Sequence, residues 1–228
     1  MSKKDKTQRQ VIEYGILHKG DLIPAVRNTP TWYKKIPRKA FSRMDNADVG
    51  TLKACIPFLD ALTAGYFVTL DQDVLVEKNP DGGNPIIRFN VDDSFGVRDG
   101  AQTNPMPAPH GYIDEHYIWK TKVGWRLPEG YSAIYCHPMN RFELPYWTVG
   151  GFVDGDVGIS RGNIPFYLKE GFEGVIPKGS PILQIIPFKR EDWLSKHNQN
   201  VFHETQAQSD RGPHDWYRKW GWKKKSYK

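Results

Sequence analysis

The stretch GGFVDGD, residues 150 to 156, sets two carboxylates two positions apart. On one strand, Asp154 and Asp156 would face the same side about 7 Å apart at Cα, close enough to share a divalent cation or for one to raise the other's pKa. The same letters also read as a turn. Asp-Gly is a strong hairpin dipeptide, and a lone DGD lacks the further oxygen ligands of a calcium loop. A second set lies in PHGYIDEHYIW, where His110, Asp114 and His116 are metal-ligand types within seven positions. His110 and His116 on one extended strand would stand about 20 Å apart, so Asp114 with His116 is the better pair, and both histidines reach one ion only across a bend. A divalent metal is the cofactor either set would take; solvated loop-edge side chains are the alternative.

Other chemistries find less. No histidine begins an H-x-H, H-x-D or H-x-E triplet, so the ligand pairs of cupins and of facial-triad iron sites are missing. Cys136 and His137 are adjacent in a strand pattern, where neighbouring side chains point oppositely, and Cys136 reads as core. Neither a G-x-S-x-G elbow nor a glycine-rich phosphate loop occurs.

The elements that must position these residues are mostly strands. YFVTLDQDVLVEK and PIIRFNV have a period of two, and NPDGGN between them is a hairpin signal whose glycines supply positive φ. YIWKTKVGW, YSAIYCHP, YWTVGGFV, IPFYL and ILQIIPF follow as short strands between turn-rich segments, and VIEYGILHKGDLIPAV precedes them all. This spacing predicts a mainly β fold, a jelly roll or related β-sandwich or barrel with a few short helices. IPFLDALTAGY predicts one of these helices, with Pro57 in its first turn and Gly65 at its end. The stretch from Asp93 to Pro109 reads as a long surface loop, and residues 191 to 207 as a helix carrying Trp193, Leu194, Val201 and Phe202. The organisation predicted is a disordered basic arm over 1 to 10, one β-rich domain over 11 to 190, and a helical, aromatic and basic extension over 191 to 228.

Charge follows the same division. The chain has 228 residues, 13% aromatic with eight tryptophans, and a formal charge of +6. Residues 1 to 10 hold +3 and residues 210 to 228 hold +5, which leaves the middle at −2, so the body itself is not basic. In the extension, Trp216, Trp220 and Trp222 stand beside Arg218, Lys219 and Lys223. Such a pattern can stack on bases, anchor a protein partner, or pack on the body. Trp32 and Tyr33, bracketed by prolines, are a second candidate contact surface. Two cysteines are too few for a disulfide scaffold and suit a reducing compartment, and no stretch approaches the ~18 apolar residues of a membrane span.

PTWYKKIP, CIPFLDALTAGY, LPEGYSAIYCHPMNRF, GGFVDGD, IPFYL, GVIPKGSPILQIIPFKREDW and YRKWGWKKKSY together resemble a family of proteins of tailed, T4-like phages of marine bacteria, with distant bacterial members. The likeness runs from about Thr29 almost to the C-terminus. It implies a small viral β domain in the host cytoplasm during infection, or in the virion, without implying an activity. GFVDGD…IPFYL…IPKGSPILQII is also similar to the central part of dUTPase-type β proteins. That likeness would put Asp154 at the water-activating aspartate and Gln184 at a strand glutamine. The Ser-Gly phosphate motif, the Tyr-Gly hairpin and the glycine-rich arm of that family are missing. The expected function is therefore a non-enzymatic binding or virion-associated β domain, with a protein partner or self-assembly ahead of nucleic acid. The alternative is a metal- or nucleotide-dependent enzyme or small-ligand binder using Asp154, Asp156 and the 110 to 116 segment.

Overall fold

A computed structural model describes residues 10–17, 21–90, 95–103, 106–157, 162–211 and 217–228. Sixteen strands occur among them. The first eight are β1 (Glu13–Ile16), β2 (Asp21–Pro24), β3 (Lys39–Ser42), β4 (Ala47–Gly50), β5 (Tyr66–Thr69), β6 (Val74–Glu77), β7 (Ile86–Phe89) and β8 (Phe95–Val97). The rest are β9 (Tyr117–Lys120), β10 (Val123–Arg126), β11 (Tyr131–Cys136), β12 (Tyr146–Thr148), β13 (Gly151–Val153), β14 (Asn163–Leu168), β15 (Gly174–Ile176) and β16 (Pro181–Lys189). Helices are short: α1 (Thr31–Lys35), α2 (Ile56–Thr63), α3 (Gly100–Thr103) and α4 (Gln199–Arg211).

Among the described residues all strand pairs are antiparallel, and the fold is β-sandwich-like with no closed barrel. A five-stranded sheet runs β13-β11-β16-β5-β2 and a four-stranded one β12-β14-β9-β8, with smaller sheets β15-β6-β7, β1-β10 and β3-β4. The two larger sheets share one apolar cluster. In it the rings of Trp119 and Phe166 stack at 3.9 Å, with Tyr146 edge-on to both. Hydrogen bonds cross between the sheets as well: Tyr146 Oη donates to the Pro181 carbonyl at 3.0 Å and Thr148 Oγ1 to that of Ile182 at 2.6 Å.

The nine-residue β16 is central because its neighbours close on it from both sides. It pairs with β11 through Ile134 and Ile186 and with β5 through Phe67 and Gln184. α2 ends against it. Gly65, at φ +64°, lies so close that a Cβ there would come within 2.0 Å of the Ile185 carbonyl oxygen, so only glycine lets the chain turn from α2 into β5. The open carbonyls at the helix end find a side chain instead of water. Gln184 is fully buried, donates from Nε2 to the Ala61 and Ala64 carbonyls at 3.0 and 2.8 Å, and accepts from the Met139 amide at 2.7 Å.

Several sequence expectations change. YWTVGGFV is two strands in two sheets: Val149 still donates to Pro165 of β14, and the chain then crosses at Gly150, where a Cβ would sit 3.2 Å from the Tyr135 carbonyl. The stretch 93 to 109 is less of a loop than its composition suggests, since β8 adds an edge strand to β9 and α3 follows. The final helix starts at Gln199, later than 191, because Asn198 caps it by accepting from the Asn200 amide. Residues 191 to 198 have no regular structure. The expected basic arm falls outside the described residues except for Gln10.

Candidate functional site

GGFVDGD ends β13 in a turn. Gly155 lies over the Trp125 indole, so closely that a Cβ would meet the ring at 2.3 Å, and its carbonyl accepts from the Leu127 amide at 3.0 Å. Glycine is needed here for contact, to let the turn lie flat on an aromatic face. The turn delivers both carboxylates to Arg190, at the end of β16. Arg190 Nη1 is 2.9 Å from Asp156 Oδ1 and 3.5 Å from Asp154 Oδ1, and Nη2 donates to Asp156 Oδ2. Ser132 Oγ donates to Asp154 at 2.6 Å and the Gly130 amide to Asp156 at 2.8 Å. The guanidinium holds the Asp156 carboxyl down at about 2, well below the usual carboxylate range. The aspartates do converge, but on an arginine that already supplies the positive charge a cation would bring.

The 110 to 116 segment does not converge. His110 and Asp114 are exposed, whereas His116 is 5% exposed beside the Tyr167 ring. Burial, with Arg98 nearby, pushes the His116 pKa down, and neither ring nitrogen has a hydrogen-bond partner. Among the described residues no group of three His, Cys, Asp or Glu side chains is arranged to hold a metal.

The predicted contact residues divide. Tyr33 is 4% exposed and stacks on Phe58 at 5.9 Å, so it belongs to the interior and not to a contact surface; an aromatic between prolines on a one-turn helix is held by burial. Trp32 is half-buried and donates from Nε1 to Glu143 at 2.9 Å. Trp222 donates to both oxygens of Asp60 on α2, at 3.2 and 3.1 Å, with Lys225 on the same carboxylate. Tyr227 packs edge-on to Tyr66. The end of the extension is therefore docked on the body. Arg218, Lys219, Trp220 and Lys223 stay exposed, with the Lys219 ammonium 5.8 Å from the centre of the Trp220 ring, and Trp216 lies outside the described residues.

A cavity of about 460 Å³ opens where the chain passes from β12 to β13. Met139, Phe142, Leu144 and Trp147 give it an apolar lining, with Asn140, Arg141 and Thr148 as polar groups. His137 stacks on Trp147 at 4.7 Å, and its Nδ1 accepts from the Thr148 amide at 3.3 Å. Burial drives its pKa down to about 4 and that of the neighbouring Cys136 thiol up to about 11, so both are neutral near pH 7. A thiol held neutral is a poor nucleophile. Arg141 is committed as well, to Glu143 and to the carbonyl and side chain of Asn28. Burial alone would raise the Glu143 pKa, but the bonds from Arg141 and Trp32 outweigh it and the net shift is down. The arrangement can bind an apolar or aromatic group.

Sequence reasoning missed Arg190, Arg141 and the cavity. Arg190 lies 34 residues from Asp156 in an ordinary charged run, and nothing local marks it as their partner. The adjacency of Cys136 and His137 was the one signal pointing toward the cavity. No helix among the described residues is long and apolar enough to cross a membrane. Compared with known proteins, the chain matches no protein-family model and no curated protein.

Proposed function

We propose that this chain is a non-enzymatic binding domain of the phage type that engages a protein partner through its C-terminal extension. One observation carries the reading: Trp193, Leu194, Phe202 and Trp220 are all exposed on the extension, in addition to scattered body rings such as Phe41, Phe142 and Phe152. Exposed aromatics beside arginine and lysine are the usual anchors of an interface. The stretches that resemble proteins of T4-like phages are what suggests a viral source, and with it the host cytoplasm or the virion as the place of action. Mass spectrometry of purified particles of the encoding phage tests it. The protein is expected in them or with a stoichiometric partner from infected cells; absence from both overturns the reading.

The cavity favours a second reading, small-ligand binding, because its volume and apolar lining with a few polar groups fit a ligand site. A thermal-shift screen with nucleotides, divalent metals and aromatic acids separates the two. A ligand that raises the melting temperature, and fails to in Trp147→Ala, would establish it.

A further inference from the structure

Every side chain from Arg190 to Gln206 is exposed, including Trp193 at 85% and Leu194 at 98%, with Val201 and Phe202 on α4. This arm is anchored at its base by Arg190 on Asp154 and Asp156, and the chain regains the body at Trp222 and Lys225 on Asp60. A thirteen-residue helix such as α4 is marginal in water and depends on packing for its stability, yet among the described residues its Val201 and Phe202 stay 50% and 60% exposed.

Charge says what covers them. Residues 191 to 207 carry Glu191, Asp192 and Glu204 against Lys196, a net of −2. Residues 217 to 228 carry six basic residues and no acidic one, and display Tyr217 and Trp220 at 44% and 59% exposure. One chain thus holds an acidic apolar strip and a basic aromatic strip that match each other; the second is docked on the body at Trp222, Lys225 and Tyr227 and exposes Tyr217, Arg218, Trp220, Lys223 and Lys224. We propose that a second copy of this chain closes them, the arm of each copy lying on the Tyr217 to Lys224 surface of the other. A two-fold pairing makes this contact twice and ends there, where a one-way contact would propagate into a filament. Trp193 and Leu194 then cover Tyr217 and Trp220, while Asp192 and Glu204 face Arg218 and Lys223. This rests on the reading of the protein as a binding domain and names the partner.

Light scattering on the full chain, nuclease-treated, tests it. At low salt the mass should be twice 26.2 kDa. It should fall toward one chain at about 1 M salt, where screening shortens to about 3 Å. Trp193→Ser with Leu194→Ser should give one-chain mass, with the body still folded by its near-ultraviolet circular dichroism. Asp192→Lys with Glu204→Lys, and separately Arg218→Glu with Lys223→Glu, should each do the same; all four in one chain should restore the pair. A wild-type mass of one chain at low salt, a doubled mass lost on nuclease treatment, or failure of the fourfold reversal overturns the proposal. A single-chain protein that is nonetheless found in particles would sink the pairing and leave the binding reading standing.

Discussion

Gln184 and Leu194 lie on consecutive segments and follow opposite rules. The first is a polar side chain with no exposure and partners for both its donor and its acceptor; the second is an apolar one that is 98% exposed. At Gln184 the body admits a polar group with its bonds complete, where an unmet buried group would cost about 1–3 kcal/mol; His116, Tyr117 and Trp119 keep buried polar atoms without a partner. In the arm, apolar area is left in water at about 25 cal/mol per Å², a cost that only a partner removes. At Gln184 the body meets its own needs within the chain, and at Leu194 the arm does not.

The sharpest way to break that contrast is at the body's closest approach. Gly65→Ala puts a methyl into the Ile185 carbonyl at φ +64°, and we expect a loss of more than about 4 kcal/mol in urea melts, or no folding. Gly82→Ala is the control. At φ +82° with nothing within 4 Å, it should cost only about 1 kcal/mol. Next is Gln184→Leu, which strands the Met139 amide and the Ala61 and Ala64 carbonyls and should cost about 3 kcal/mol. A near-neutral result there would show that water can replace the glutamine and that the body is less finished than the bonds imply.

Acid comes third. His137 binds its proton less readily folded, at about 4, than unfolded, at about 6.5. Stability should therefore be complete above pH 6.5 and fall by up to roughly 3 kcal/mol as pH drops toward 4. His137→Gln should flatten that window, leaving the slope that belongs to His116, whose pKa is shifted in the same direction. A smaller effect is expected at Arg190→Ala. The Asp156 carboxyl is held at about 2 by that arginine, so the deficit relative to wild type should be full above pH 3.8 and close as pH falls toward 2. The smallest is Trp193→Ser with Leu194→Ser, which should leave the melting temperature unchanged when it is compared with wild type at about 1 M salt, where both are single chains. A fall would mean that the arm packs on its own body.

Local chemistry was legible in the sequence. NPDGGN turns β6 into β7 with Gly82 and Gly83 at positive φ, and IPFLDALT is a helix with proline in its first turn, because both signals lie within a few residues. Distant closure was not. Gln184 meets carbonyls 123 and 120 residues away, and Arg190 meets its aspartates across 34 and 36. Neither partner is marked by residue type. Three- and four-residue strands such as β15 and β3 are too short for a period of two to register, and they exist because a neighbour pairs with them. Tyr33 was placed outside because proximity to proline says where a chain bends and nothing about which way a ring faces.

The central place of β16 also sets a clock. Its partner β5, with β2 on the far edge, is made early, yet β5 must wait for a strand more than a hundred residues downstream before its second edge is paired. At roughly 5–20 residues per second of synthesis, that interval is on the order of ten seconds. Through it the nascent chain carries β5, and later β11, without the strand that unites them. Newly made protein should therefore depend on chaperones more than refolded protein does, and a ribosome stalled before Pro181 should hold a chain that proteases cut freely.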